Sequence, residues 1–164
     1  MAIAILSMYI TMKLWYNKQN GKGLNMSENW VQDINDMHRK FGVHDWVSKQ
    51  LAAGDKEKLQ EFLKFRIKFL QEELGETANA VDVKDPEEIV DGLIDLCVVA
   101  IGTMDAFGID AHKAWNEIHN ANMSKESGVK ESRPNPLGLP DLIKPEGWKG
   151  PDHAGNHGYF TNTF

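Results

Sequence analysis

Apolar residues recur at helical spacing along most of the chain and predict four main helices. A loop or a short additional helix, at 43–54, separates the first helix from the second. No alternating β-pattern and no internal repeat is present. The sequence therefore predicts a single all-α domain, a bundle-like fold of four to five helices. The main helices cover about residues 27–41, 56–81, 86–107 and 111–125.

The third helix has the clearest start. Asp85 has the position of an N-cap, Pro86 that of the first helical residue, and Glu88 lies at the third. Apolar residues surround nearly the whole circumference of this helix up to Phe107. Such a pattern predicts a helix that is buried on most sides.

Two extensions flank the helical domain, which is predicted at 27–126. Within residues 1–26, the first sixteen are apolar but too short to span a membrane comfortably, and they lack the basic start of a signal peptide. We expect an extension or an arm there, with translation from Met26 as an alternative. Residues 127–164 are rich in Pro and Gly and predict an irregular tail whose apolar residues pack on the body or on a partner subunit.

Composition narrows the class of protein. The net charge of −6 argues against nucleic acid as the main partner, because a basic patch would be expected. The single cysteine, Cys97, lies in an apolar run and fits a small buried side chain in a reducing compartment. We expect a cytoplasmic protein (in the host cytoplasm, if phage-encoded) without stable membrane association.

Acidic pairs carry the chemistry. Glu73 and Glu76 share one face of the second helix, and Glu88 and Asp91 share one face of the third, with Asp95 one turn further on. Carboxylates that converge between two helices repel one another unless a cation lies among them. Mg²⁺ takes oxygen ligands and commonly binds together with substrate phosphates. The pattern therefore indicates phosphate chemistry on a helical scaffold.

The sequence does not contain the motifs of several other metal, phosphate-binding or nucleophilic sites. A di-iron bundle needs Glu-x-x-His on two helices, and no glutamate here is followed by histidine at that spacing. A zinc site of the Cys/His type is not supported by one cysteine and scattered histidines. Neither a Walker-type glycine loop nor a Gly-x-Ser-x-Gly nucleophile motif is present.

The motif that begins at Glu72, EELGE followed by ExxD at Glu88 and Asp91, resembles the signature of the all-α nucleoside-triphosphate pyrophosphatase superfamily. That superfamily includes MazG-like proteins, dimeric dUTPases and phosphoribosyl-ATP pyrophosphohydrolases. The segments DMHRKFGV, VDGLIDLCVVAIGTMDAFGID, EIHNANMSK and KPEGWKGPD are similar to a phage-type, phosphoribosyl-ATP pyrophosphohydrolase-like subgroup.

The resemblance implies roles for individual residues. The expected Mg²⁺ ligands, with Mn²⁺ as an alternative metal, are Glu73, Glu76, Glu88 and Asp91. Glu72 would support the site or orient the attacking water, and Asp95 would hold a metal-bound water or a second metal. Phosphate contacts are expected from Asn122 and Lys125, with His119 near them, and contacts to the base or sugar from His38 and the turn after it.

The implied reaction is metal-dependent hydrolysis of a nucleoside triphosphate between the α- and β-phosphates, giving a monophosphate and pyrophosphate. Deoxypurine triphosphates, dATP or dGTP, are the expected substrates. Alternatives are a dUTPase-like or phosphoribosyl-ATP-cleaving specificity, or a non-catalytic helical module that binds a nucleotide or a protein. The resemblance also implies a homodimer or homotetramer with the site near the subunit interface.

Overall fold

The computed structural model describes residues 29–132 and 135–164. Contacts divide the chain into two units, Met1–Trp30 and Val31–Phe164, and the described residues belong almost entirely to the second. The predicted apolar extension at 1–26 and the predicted first helical residues, 27 and 28, lie outside the described part.

The described part contains six helices and one two-stranded antiparallel sheet, which confirms the predicted all-α class. In the sheet, Glu126 pairs with Ile143 and Gly128 pairs with Asp141. The tail pattern did not predict this hairpin, because each strand has only three residues. The elements are α1 (Trp30–Lys40), α2 (Val43–Ala53), α3 (Lys56–Val83), α4 (Pro86–Ala106), α5 (Ala111–Met123), β1 (Glu126–Gly128), β2 (Asp141–Ile143) and α6 (Phe160–Thr163).

Side-chain caps fix where the three central helices begin. Asp55 accepts a hydrogen bond from the backbone N–H of Lys58, and Asp110 accepts one from that of Lys113. Asp85 accepts from two backbone N–H groups in the first turn of α4, with Pro86 directly after it. These bonds satisfy donors that the first helical turn leaves without partners. The predicted starts of α4 and α5 are confirmed.

The predicted burial of α4 on most sides is wrong for the single chain. Its buried residues form one stripe, which includes Gly92, Val99 and Ala106. Val90, Leu93 and Ile94 are 62%, 52% and 44% exposed on the opposite side of the helix. The sequence pattern shows that these side chains are apolar. Among the residues that the structure describes, however, no element covers this side of α4.

The tail packs against the helical body at its far end. The backbone N–H of Tyr159 donates to the carbonyl of Phe107 over 2.7 Å, and Gln60 donates to the carbonyl of Thr163 over 2.7 Å. Phe107 is fully buried and stacks between Phe62 and Phe160. These contacts place residues 156–164 over the start of α3 and the end of α4, which lie side by side.

Within the described residues, no single helix is both long and apolar enough to cross a membrane. The consecutive helices α4 and α5, bent by 120°, satisfy the length and composition criteria only as a pair.

The link between α3 and α4 contains a backbone conformation that L-residues disfavour. Lys84 has φ of 61° and is the only non-glycine residue with positive φ in the described part. Since glycine adopts this conformation without a steric penalty, Lys84→Gly should stabilise the protein by about 1 kcal/mol. Lys64→Gly, inside α3, should instead destabilise it by about 1 kcal/mol. Urea unfolding of both variants would measure this, and a destabilised Lys84→Gly would contradict the assignment of strain.

Candidate active site

Helices α3 and α4 are in close contact where α3 presents Thr77 and α4 presents Gly92. A Cβ atom on Gly92 would lie 2.3 Å from Oγ1 of Thr77 and 3.4 Å from its Cα, so no larger residue fits. Thr77 also donates its hydroxyl to the Glu73 carbonyl over 2.7 Å, which fixes its rotamer. The two acidic motifs lie on the two helices near this contact. We call the α3–α4 contact with the flanking carboxylates Glu73, Glu76, Glu88 and Asp91 the acidic seam.

Helical spacing then positions the carboxylates. Glu73 lies one turn before Thr77 on α3, and Glu88 and Asp95 lie one turn before and one turn after Gly92 on α4. Glu73 and Asp95 are half-buried, whereas Glu76, Glu88 and Asp91 are exposed. Asp91 is exposed although its helix was predicted to be buried on most sides, because this side of α4 faces solvent.

Electrostatics shows that the carboxylates from the two helices act on one another. The pKa of Glu73 is raised because its partial burial removes water from the carboxylate, and because neighbouring negative charges oppose its ionisation. The neighbours are, in order of effect, Asp95, Glu76, Glu72 and Asp91. The structure thus brings together residues from both predicted acidic pairs.

A cleft of about 670 Å³ lies beside this seam. Of the described residues, four carboxylates line the cleft and no lysine or arginine does. The carboxylates are those of Glu72, Glu76, Asp85 and Glu88. Gln71 and Asn79 add amide groups to the same wall. All of these groups offer oxygen atoms, which are the ligands that Mg²⁺ and Mn²⁺ prefer. The donor set fits a hard divalent cation, and the exposure leaves space for water to complete its coordination.

The acidic residues do not form a closed ligand cage in the described chain. The described residues contain one group of three potential ligands whose atoms lie within 4.8 Å of one another, and it consists of other residues, treated below. Glu72 instead forms a surface ion pair with Lys68 over 3.4 Å. The assignment of Glu73, Glu76, Glu88 and Asp91 as metal ligands therefore stays a prediction.

The predicted phosphate-binding residues lie together at the end of α5. Lys125 donates to the side-chain oxygen of Asn122 over 2.8 Å, and its ammonium lies 5.4 Å from the ring centre of Trp148. Trp148 is held there because its indole N–H donates to the Ala121 carbonyl and the Ser124 hydroxyl, each over 3.0 Å. His119 is exposed on the same helix. Among the described residues, no hydrogen bond or ion pair joins Lys125 to the acidic seam.

His38 belongs to a polar network that the sequence pattern did not predict. It is only 4% exposed, and its Nδ1 lies 2.7 Å from the Asp105 carboxylate. Asn35 donates to the other oxygen of Asp105 over 2.7 Å, and His44 contacts the same oxygen as His38 over 2.7 Å. The expected contact of His38 with a base or sugar stays a prediction.

Burial and hydrogen bonding set the charges in this network. Burial lowers the pKa of His38 and outweighs the opposing effect of Asp105, so the imidazole is biased toward its neutral form. Burial alone would raise the pKa of Asp105, but the hydrogen bonds from Asn35, His44 and His38 outweigh it and lower that pKa. An ionisable residue near the end of an apolar helix was the signal that could have identified Asp105.

Arg66 ties α3 to α4 beside this network. Its Nε donates to the Thr103 hydroxyl over 3.1 Å, and its Nη2 donates to the Val99 carbonyl over 2.9 Å. Burial lowers the pKa of this guanidinium. Arg66 therefore contributes to the packing of the two helices that carry the acidic residues.

The all-α bundle and its two acidic motifs agree with the class that the sequence resembles, the MazG-like nucleotide pyrophosphohydrolases. Residues 46–122 match the family model of phosphoribosyl-ATP pyrophosphohydrolase. The domain formed by this segment belongs to that family, within the all-α nucleoside-triphosphate pyrophosphatase superfamily, and the chain is a nucleotide pyrophosphohydrolase. The matched segment includes both acidic motifs and Asn122.

Comparison with the curated proteins finds no match for this chain.

The Thr77–Gly92 contact predicts a pair of opposite effects. Gly92→Ala should force α3 and α4 apart and destabilise the protein by about 1–3 kcal/mol. Gly75 lies on α3, two residues before Thr77, and has open space around it. Gly75→Ala should therefore stabilise the protein by about 0.5–1 kcal/mol. Chemical denaturation measures both. A Gly92→Ala variant as stable as the parent would show that the close approach does not constrain the helices.

Proposed function

We propose that the acidic seam binds Mg²⁺, or Mn²⁺ in its place, and catalyses hydrolysis of a nucleoside triphosphate between the α- and β-phosphates. The observation that carries the proposal is the cleft that Glu76 and Glu88 line together, to which the described part of the chain contributes four carboxylates and no cationic side chain. Metal ions would neutralise the phosphate charges and reverse the sign of the local field.

Glu73, Glu76, Glu88 and Asp91 would hold the metal, since they come from both sides of the seam. Glu72 lines the cleft, so it suits orienting the attacking water. Asp95, half-buried beside Glu73, suits holding a second water or metal. Hydrolysis adds a hydroxyl from water to one phosphorus, breaks the bridging P–O bond, and leaves the second water proton on a phosphate or a carboxylate.

Substrate specificity is the finer question. Deoxypurine triphosphates, dATP or dGTP, are the substrates we propose, by analogy with phage-type proteins that the sequence resembles. Phosphoribosyl-ATP is a second candidate, because the family model that matches residues 46–122 carries that substrate in its description. Both substrates contain the same triphosphate, so the acidic seam serves either one.

A substrate panel tests the reaction. The full chain is incubated with Mg²⁺ and each ribo- and deoxynucleoside triphosphate or phosphoribosyl-ATP, and pyrophosphate and orthophosphate are measured separately. We expect pyrophosphate and the matching monophosphate, with activity lost when the metal is chelated. Glu73→Gln should lower kcat/KM on the order of 10²–10³-fold, the effect typical of removing one electrostatic stabiliser.

Glu61→Gln is the matched control, because Glu61 is exposed on the same helix and is not among the carboxylates that act on Glu73. It should leave kcat/KM unchanged. Release of orthophosphate alone would contradict cleavage between the α- and β-phosphates. Binding of nucleotide with no turnover of any substrate would favour a non-catalytic module.

We also propose that the chain assembles as a homodimer or homotetramer through the exposed side of α4. Val90, Leu93 and Ile94 lie at i, i+3 and i+4 and are each at least 44% exposed, which is unusual for adjacent apolar residues on a helix. Leu74 and Val81, seven residues apart, are exposed on α3. A second copy would cover these side chains and could bring the partner's Lys125 to the acidic seam.

Light scattering tests the assembly. We expect a mass two or four times the 18.5 kDa of one chain. Leu93→Lys should shift the protein toward the monomer, because it places a charge in the apolar contact. Val129→Lys, at a position 78% exposed after β1, should not change the mass. A parent protein that is monomeric at micromolar concentration would refute the proposed assembly.

A further inference from the structure

A second group of potential metal ligands lies near the carboxyl end of α4, ten residues and therefore about 15 Å along the helix axis from Asp95. Nδ1 of His38 and Nε2 of His44 each lie 2.7 Å from Oδ2 of Asp105. The three ligand atoms lie within 4.8 Å of one another. We propose that His38, His44 and Asp105 bind a divalent transition-metal ion such as Zn²⁺, at a site separate from the acidic seam.

The donor set selects the kind of metal. Two imidazole nitrogens and one carboxylate oxygen suit Zn²⁺, Co²⁺ or Ni²⁺, whereas Mg²⁺ prefers oxygen ligands alone. The imidazole must be neutral to bind. His38 is only 4% exposed, which favours a tightly held ligand over a solvated surface group. The ligands come from α1, α2 and α4, so rigid elements hold them in place.

The present distances are those of hydrogen bonds. Bonds of about 2.0–2.2 Å from the metal to each ligand would place the ligand atoms somewhat more than 3 Å apart. Each imidazole must therefore move outward by a few tenths of an ångström. A neutral imidazole keeps its one proton by moving it to its other ring nitrogen, so the binding step is balanced without proton release. The side chain of His44 is 28% exposed and has room for this movement.

The surroundings supply an orienting contact and an access route. Asn35 donates to Oδ1 of Asp105 over 2.7 Å, which leaves Oδ2 directed at the two histidines. A cavity of about 260 Å³ is lined by Asn35, His44 and Asp105, and also by Ser48 and Tyr159. Coordination positions that the protein does not fill would face this cavity, where water or a small anionic ligand can occupy them.

One charge opposes the metal. The guanidinium of Arg66 acts on His38 electrostatically and lowers its pKa further. A hydrogen-bonded network without metal, which holds α1 and α2 to α4, is therefore the competing explanation. In that case both N–H groups simply donate to Asp105. The two explanations differ in whether a metal ion is bound, and this can be measured directly.

The test is a titration of the full-length, tag-free chain with Co²⁺, followed by visible d–d absorption and by displacement with Zn²⁺. With excess Mg²⁺ present to occupy the acidic seam, we expect an absorption from one equivalent of Co²⁺ that Glu73→Gln retains and His44→Gln abolishes. Asn35→Ala should weaken Zn²⁺ binding about 10–100-fold, the effect typical of removing a group that orients a metal ligand. Because Glu73→Gln alters a proposed ligand of the acidic seam and none of the three residues of the histidine site, this result is independent of the proposed catalytic function.

Two outcomes would overturn the proposal. Equal absorption in His44→Gln would assign the Co²⁺ to other exposed side chains, such as His157. The absence of absorption in the parent chain would leave a hydrogen-bonded network only. If His44→Gln does not fold, as judged by its thermal unfolding, Asn35→Ala decides the question, and unchanged Zn²⁺ affinity in that variant refutes the site.

Discussion

The contact between Thr77 and Gly92 is the constraint on which the candidate active site depends. It lets the backbones of α3 and α4 approach closely, with no space for a Cβ atom on the glycine. Because each acidic motif lies within one turn of this contact, the carboxylates cannot separate without breaking the helix packing. Burial and the repulsion from neighbouring carboxylates together raise the pKa of Glu73. The van der Waals contact between Thr77 and Gly92 keeps those carboxylates close to one another. A cation relieves that repulsion without requiring any movement of the helices.

The same seam divides the molecule into two regions of different character. Toward the Lys84 turn, α4 is exposed and acidic on one side and exposed and apolar on the other. Toward Phe107, α4 is surrounded by α1, α2, α3 and the tail, and its polar residues are fully hydrogen-bonded. The well-packed end stabilises the helix pair, so the acidic end can carry unfavourable charge and an uncovered apolar surface. One end of the helix pair thus provides stability and the other carries the acidic residues. This division is typical of proteins in which a rigid scaffold supports a strained site.

Local rules predicted most of the fold. Asp85, Pro86 and Asp110 specify helix starts through bonds within a few residues, and the structure confirms them. The hairpin of β1 and β2 was not predictable in this way, because its register joins residues on either side of a long Pro-rich segment. The acidic motifs could be recognised from spacing alone, and the family match supports the enzyme class. Their distances to Lys125 depend on tertiary packing, and no sequence spacing encodes those distances.

Asp91 and Asp105 show why burial cannot be read from a helix pattern. Both interrupt the apolar sequence of α4, and the rule that a buried carboxylate needs a partner applies to either one. The rule correctly describes Asp105, which accepts three hydrogen bonds from α1 and α2. It does not describe Asp91, which is exposed in the single chain. The difference lies in which neighbours pack on each end of α4. Asp105 is compensated by its own chain, whereas Asp91 is available to a ligand from solution.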